Sequence, residues 1–363
     1  MSISTSVRRA GVALVASALA ASLVAVGTPA EAVSPTSPAG RGATWLANQL
    51  NAKGLIHNRQ YAFNDYGLTA DTVLALDSIG GHQRDVRRAR KALARHVAAY
   101  TGKKTDRYAG ATAKLAVVAQ ETGGGARHFG GYNLVARLGR LVATDAPIAG
   151  RIEDRSSYGD LANTIGQIFA VRALLRAGHP AARSALRFLL EQQCNRGFLR
   201  LEFNSDKTAT QQGCTGSSPA DTDVTALAVV ELAPVAAGHG ALRHALRDAT
   251  RWLKRQQRSN GSLGGGVSTP AANANSTGLA GSAFRAEGRC GAARAAARWV
   301  AKLQITGNVS GTPLAGERGA IAYDRTALRT ARQDGIDKTA RDQWRRAGAQ
   351  AAPALVALSR CGS

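Results

Sequence analysis

Leu186-Arg187-Phe188-Leu189-Leu190-Glu191-Gln192-Gln193-Cys194-Asn195-Arg196-Gly197-Phe198 is followed, after a polar loop, by Asp221-Thr222-Asp223-Val224-Thr225-Ala226-Leu227-Ala228-Val229-Val230-Glu231-Leu232. The first half reads as an aromatic and leucine-rich helix that ends in Gln-Gln and a glycine turn. The second half is a helix opened by an acidic residue. The unit recurs. Trp252-Leu253 with Gln256-Gln257, Gly261 and Gly264 leads to a helix opening at Asn275-Ser276-Thr277. Trp299 to Gln304 leads to Tyr323-Asp324-Arg325, and Trp45-Leu46 with Gln49 and Gly54 leads to Asp65-Tyr66 and Asp71. Self-similarity at a period of roughly 45–60 residues is the mark of a repeat architecture.

The paired helices differ in character. The segment around Trp252 carries Leu242, Ala245, Leu246, Ala249, Trp252 and Leu253 on one stripe and Arg243, Arg247, Arg251, Arg255 and Arg258 on the other side. That is a surface helix. Residues 224–232, 68–76 and 109–119 are apolar nearly all round, apart from Thr225 and Glu231 in the first of them, as expected of helices buried on every side. Outer helices are expected near 43–51, 84–100 and 134–144, with inner partners near 66–79, 108–121 and 161–177. The last three pairs are those quoted above. A closing helix over 338–358, kinked at Pro353, is expected to pack over the seam.

The aromatic-Leu pair, Gln, Gly turn and Asp- or Thr-opened helix resemble the prenyltransferase and squalene-cyclase repeat. The resemblance covers nearly all of the chain beyond residue 41 and implies an all-α (α/α)6 toroid of six helical hairpins. It is specific for fold and weak for activity, because one fold hosts many functions. Class II terpene cyclases of this kind use an Asp-x-Asp-Asp stretch whose central acid protonates an alkene or epoxide. Asp221-Thr222-Asp223-Val224 keeps two of its acids and replaces the third with Val224. Protein prenyltransferases hold zinc with Asp, Cys and His, and complement-type toroids carry Cys-Gly-Glu-Gln. Neither set is found here, so no metal or cofactor is expected.

Arg8-Arg9, an apolar run from Ala10 to Val26 and Ala30-Glu31-Ala32 form a secretory signal peptide, with cleavage expected after Ala32. Residues 33–41 read as a Pro/Ser leader, and 42–363 as one toroid domain. No membrane span is expected. The four cysteines, Cys194, Cys214, Cys290 and Cys361, point to disulfides in an exported protein. Three connectivities exist. Cys194–Cys214 with Cys290–Cys361 is favoured, because the first closes the loop of the clearest repeat and the second ties the last helix back to the last repeat.

The net charge is +23, and removing Arg8, Arg9 and Glu31 leaves +22. This suits an anionic wall polymer or protein, but the arginines sit on solvated outer faces, and no aromatic interleaving points to nucleic acid. Parallel inner helices gather their N-termini at one mouth. The residues expected there are Asp65, Tyr66, Asp71, Tyr108, Asp160, Asp221, Asp223, Asn275, Tyr323 and Asp324. Each is also a natural helix cap or its neighbour. As a set they imply a polar site for a cationic or hydroxyl-rich small molecule. A binding protein using this mouth is the first expectation. The alternative is an enzyme, either a divergent terpene cyclase with Asp221 or Asp223 as acid, or a glycan-active enzyme with paired carboxylates.

Overall fold

A computed structural model describes residues 33–361, so the expected signal peptide at 1–32 lies outside the described residues. The helices are α1 (Pro38–Asn48), α2 (Tyr66–Ile79), α3 (Gln83–Arg95), α4 (Val97–Thr101), α5 (Ala109–Glu121), α6 (Leu134–Gly139), α7 (Thr164–Arg176), α8 (Ala182–Glu191), α9 (Thr222–Leu232), α10 (Gly240–Gln256), α11 (Ala274–Ala286), α12 (Cys290–Ala301), α13 (Arg325–Asp334) and α14 (Arg341–Ala351). A 3-10 turn, Ala352–Val356, continues α14 through Pro353, where the kink was expected. One short hairpin pairs Ile56–Asn58 with Phe63–Asp65 ahead of α2.

Six helices close into a ring in the order α2, α5, α7, α9, α11, α14 and back to α2. A second helix backs each of them: α3 on α2, α6 on α5, α8 on α7, α10 on α9, α12 on α11, and α1 on the turn after α14. This is the expected (α/α)6 toroid. The inner helices obey the pattern of near-complete burial. In α9 only Asp223, Leu227 and Val230 are not fully buried. Their spacing of four and three residues puts them on one stripe, which faces the ring axis. The outer helix α10 buries Leu242, Leu246, Ala249, Trp252 and Leu253, and its arginines are exposed.

The repeated Gln and Gly have a shared physical cause. Gln193 Nε2 donates to its own turn's Gly197 carbonyl and to the Ala245 carbonyl of α10, both at 2.9 Å. Gln257 does the same to Gly261 and to Ala292 of α12, and Gln304 to Gly319 and to Pro38 of α1. Each amide therefore staples one hairpin to the next around the ring, and Gln304 joins the last to the first. The turn glycine must approach the next outer helix closely. A Cβ on Gly197 would lie 2.6 Å from the Asp248 carbonyl oxygen, and the residue's φ of +99° is one that side chains rarely adopt.

Several expectations shift. The helix expected to lie over the seam is α14, which enters the ring as its sixth inner member. The segment opened by Asp324 forms α13, an amphipathic helix with only Leu328 and Ala331 buried. The leader expected at 33–41 is partly structured: Val33 and Ala39 are buried, Ser37 caps α1 through the Gly40 amide, and Pro38 opens the helix. Ser-Pro is an N-terminal signature as well as a linker dipeptide. The third outer helix is short, spanning only Leu134–Gly139.

Both favoured disulfides are present, with Cα–Cα distances of 5.2 Å for Cys194–Cys214 and 5.3 Å for Cys290–Cys361. Among the described residues no helix is long and apolar enough to cross a membrane.

Candidate functional site

The ring encloses an axial cavity of about 730 Å³ to which all six inner helices contribute. Its waist is apolar, built from Leu74, Ile165, Phe169, Leu227, Val230 and Leu279. Charged and polar groups occupy both ends.

At the end nearest the helix N-termini, Asp221 caps α9 by accepting from the Val224 amide at 2.9 Å. Asp223, two residues on, turns into the cavity. Burial, with the added repulsion of Asp221, pushes the Asp223 carboxyl up to about 6 against the pull of the Ser276 hydroxyl. Its Oδ1 is buried and has no partner in the protein, and the facing Ser276 hydroxyl makes no well-directed hydrogen bond either. A Cβ on Gly265 would lie 3.0 Å from Ser276 Oγ and 3.1 Å from Asp223 Oδ2, and one on Gly266 would lie 2.6 Å from Asp221 Oδ2. The glycine run read from sequence as turn chemistry is also the lid over these two acids, where a side chain would have no room.

Asn275 stands on the first turn of α11 with its Oδ1 buried and unpartnered. The Tyr323 carbonyl accepts from the Ala274 amide at 2.7 Å. Burial, then Asp223 and Asp324, push the Tyr323 hydroxyl up. Asp324 caps α13 at 2.8 Å. Asp221, Asp223, Asn275, Tyr323 and Asp324 are therefore brought together. Asp71 reaches the cavity from α2, three steps around the ring from α9. Its Oδ1 accepts from the Lys114 ammonium at 2.7 Å. Burial disfavours that ammonium, yet Asp71, helped by Tyr100, holds its pKa above the usual lysine range.

The other expected residues serve the scaffold. Asp65 caps α2 through the Leu68 amide at 2.7 Å and pairs with Arg346 at 2.8 Å. Tyr66 stacks on His96 with ring centroids 5.2 Å apart. Asp160 binds Arg151 at 3.0 Å and Lys207 at 2.9 Å in the loop before α7. Burial works against its charge, but Lys207 and the Asp154 and Ala162 amides hold it below the usual carboxylate range. Tyr108 sits at the N-cap position of α5 without a side-chain cap bond. Of the ten expected residues only Asp71 and Asp223 line the cavity.

Of the charges deeper in the ring, sequence reading noted only Glu231. Arg172 of α7 pairs with Glu231 of α9 and, at 3.0 Å, with Glu121 of α5. Burial opposes its charge, and the two carboxylates outweigh that to raise its pKa. Arg176 also reaches Glu121, at 3.3 Å. Burial pushes Asp77 up. Ser282 and Arg285 of α11 complete this end. The available signal was a lone charge inside an apolar helix: Lys114, Arg172 and Glu231 all fit that description. Among the described residues no three His, Cys, Asp or Glu side chains are placed to hold a metal ion.

Similar ring architectures occur among solved structures. The type II terpene cyclase MstE from Scytonema is 17% identical over 88% of this chain and 98% of that chain, with a TM-score of 0.54. The unsaturated glucuronyl hydrolase from Bacillus sp. GL1 is 12% identical, covering 89% and 96%, at 0.59. A protein from Actinoplanes is 16% identical, covering 88% and 98%, at 0.56. The chain has the α/α-toroid fold. At these identities the likeness carries the fold alone. No protein-family profile and no curated protein matches the sequence.

Proposed function

We propose that this toroid is an exported enzyme in which the Asp223 carboxyl acts as a general acid on a carbon–carbon double bond of a small substrate held in the axial cavity. One observation carries the reading. Asp223 is largely buried, its pKa is pushed up to about 6, and its Oδ1 has no partner while the side chain faces the cavity. A carboxyl that keeps its proton up to about pH 6, with one oxygen left without a protein partner, is suited to give that proton to a ligand.

The proton leaves Asp223 for one alkene carbon. The π electrons form the new C–H bond, and the adjacent carbon becomes cationic. Water adds to that carbon and returns one proton to the Asp223 carboxylate, giving net hydration and restoring the acid. Asp71, paired with Lys114 at 2.7 Å, lines the cavity from the opposite inner helix. Among the described residues Phe169 is the only aromatic ring in the lining. That favours a single capture by water over a long cyclisation, which needs several aromatic faces to carry the moving charge. The named neighbours support the choice of bond. MstE was solved with geranylgeranyl dihydroxybenzoate as substrate, and the hydrolases act on unsaturated glucuronyl sugars; both compounds contain carbon–carbon double bonds.

The test is incubation of the disulfide-bonded protein in D2O with polyprenyl benzoates and unsaturated glucuronyl disaccharides, followed by mass spectrometry. The expected result is a deuterated product that disappears with D223N. A cyclised isomer would replace hydration by cyclisation. Turnover unaffected by D223N would remove Asp223 from the chemistry. An unchanged small molecule retained in native mass spectra, with no turnover, would make the protein a carrier.

A further inference from the structure

The end of the cavity opposite Asp223 holds a cation that the protein leaves unmatched. Lys114 is paired with Asp71, and Glu121 and Glu231 share Arg172 and Arg176. Arg285, on the last turn of α11, lines the cavity with no salt-bridge partner among the described residues, and its Nε is buried and unbonded. Ser282, one turn earlier on the same helix, lines the cavity too. It is 6% exposed, and its hydroxyl has no partner. A buried donor without an acceptor is costly, and more so when it is charged. Two such donors on neighbouring turns of one helix, both facing an open cavity, form a place for an acceptor that the chain does not supply.

The surroundings leave this guanidinium short of negative charge. Burial and then the nearby Arg360 both lower the Arg285 pKa. Arg360 precedes Cys361, which the disulfide fastens to Cys290 at the start of α12. Like Arg285, it has no acidic partner among the described residues. A covalent link thus helps to hold two guanidinium groups near one another.

We propose that Arg285 and Ser282 form a carboxylate-binding subsite, and that the ligand of the axial cavity is an apolar monocarboxylate whose far end reaches Asp223. This rests on the reading of the cavity as the substrate site, but not on the chemistry assigned to Asp223. A planar carboxylate matches the two-pronged guanidinium, with the serine hydroxyl as a third donor. A phosphate dianion is a poorer match, because Asp77, Glu121 and Glu231 line the same end. The apolar waist then takes the body of the ligand. Nine residues separate Ser276, level with Asp223, from Arg285, and at 1.5 Å per residue this sets the head-to-acid span at about 14 Å.

Calorimetric titration of the disulfide-bonded protein with dodecanoate, dodecanol and dodecyl phosphate tests the assignment. Dodecanoate is expected to bind tightest. R285Q should weaken it about tenfold or more, as loss of a charged hydrogen-bonded partner does, and leave dodecanol within about twofold. R285K should recover part of the loss. S282A, which removes one oxygen, gives a smaller loss and serves as the second reading if R285Q folds poorly. These titrations read binding without turnover, so failed catalysis and a failed subsite are told apart. Equal binding of dodecanol and dodecanoate, no binding of either, tighter binding of dodecyl phosphate, or indifference to both R285Q and S282A would overturn the proposal.

Discussion

Replacing Asp223 with asparagine keeps the side chain's shape and removes its ability to ionise. In the folded chain, burial and then Asp221 raise this carboxyl to about 6, with Ser276 opposing. An unfolded aspartate titrates at ~3.9. The folded state therefore holds the proton more tightly than the unfolded state. The stability this gives is complete below about pH 4 and is lost as pH rises through about 6. The gap is about two units at about 1.4 kcal/mol each, so the ionised group costs the fold about 3 kcal/mol at pH 8. The uncharged amide of the variant carries no such cost. D223N should match the wild type within about 0.5 kcal/mol at pH 4 and exceed it by about 2–3 kcal/mol at pH 8. Urea unfolding at the two pH values, with disulfides intact, reads the difference. A gain at pH 8 no larger than at pH 4 would refute the reasoning, because it would show that the carboxyl is not held protonated by its surroundings.

Gln304 is 4% exposed and bridges the Pro38 and Gly319 carbonyls across the ring seam. Q304A should cost about 2–3 kcal/mol by leaving those acceptors unpaired, and hydrogen exchange should rise first in α1 and α14. The disulfides close loops of 20 and 71 residues. The chain-entropy model gives about 3 kcal/mol for replacing Cys194 and Cys214 with Ala and about 4 kcal/mol for Cys290 and Cys361, measurable by the same urea titration. Arg172→Met strands Glu231 and weakens the hold on Glu121. It should cost about 3–5 kcal/mol, as breaking a buried ion pair does.

Much of the fold was legible because its causes are local and repeated. The Gln and the Gly recur since each hairpin must staple to the next, and the near-continuous apolar runs recur since inner helices are buried on all sides. What misled was the last repeat. Asp324 caps a helix as well as Asp221 does, and a cap alone does not say whether the helix enters the ring. Arginine content does not discriminate either: α13 carries Arg325, Arg329 and Arg332, while α14, which does enter the ring, carries Arg341, Arg345 and Arg346 and buries Arg345. For the site, capping was a sound explanation of Asp65, Asp221 and Asp324, and the structure bears it out for each. Asp223 was separable from them only by position: it falls one residue past the first helical residue, on the stripe of Leu227 and Val230. Lys114, Arg172 and Arg285 went unnoticed because their partners, or the want of one, lie on other helices far off in the chain.

Everything proposed for the chemistry depends on Asp223 being a cavity carboxyl that keeps its proton up to about pH 6. Carbon-13 titration of the aspartate carboxyl groups, with D223N to assign the signal, measures this directly. The predicted result is a midpoint of about 6 for the resonance missing in the variant. A midpoint in the ordinary range, at ~4, would contradict it and leave Asp223 as one more helix-end carboxylate.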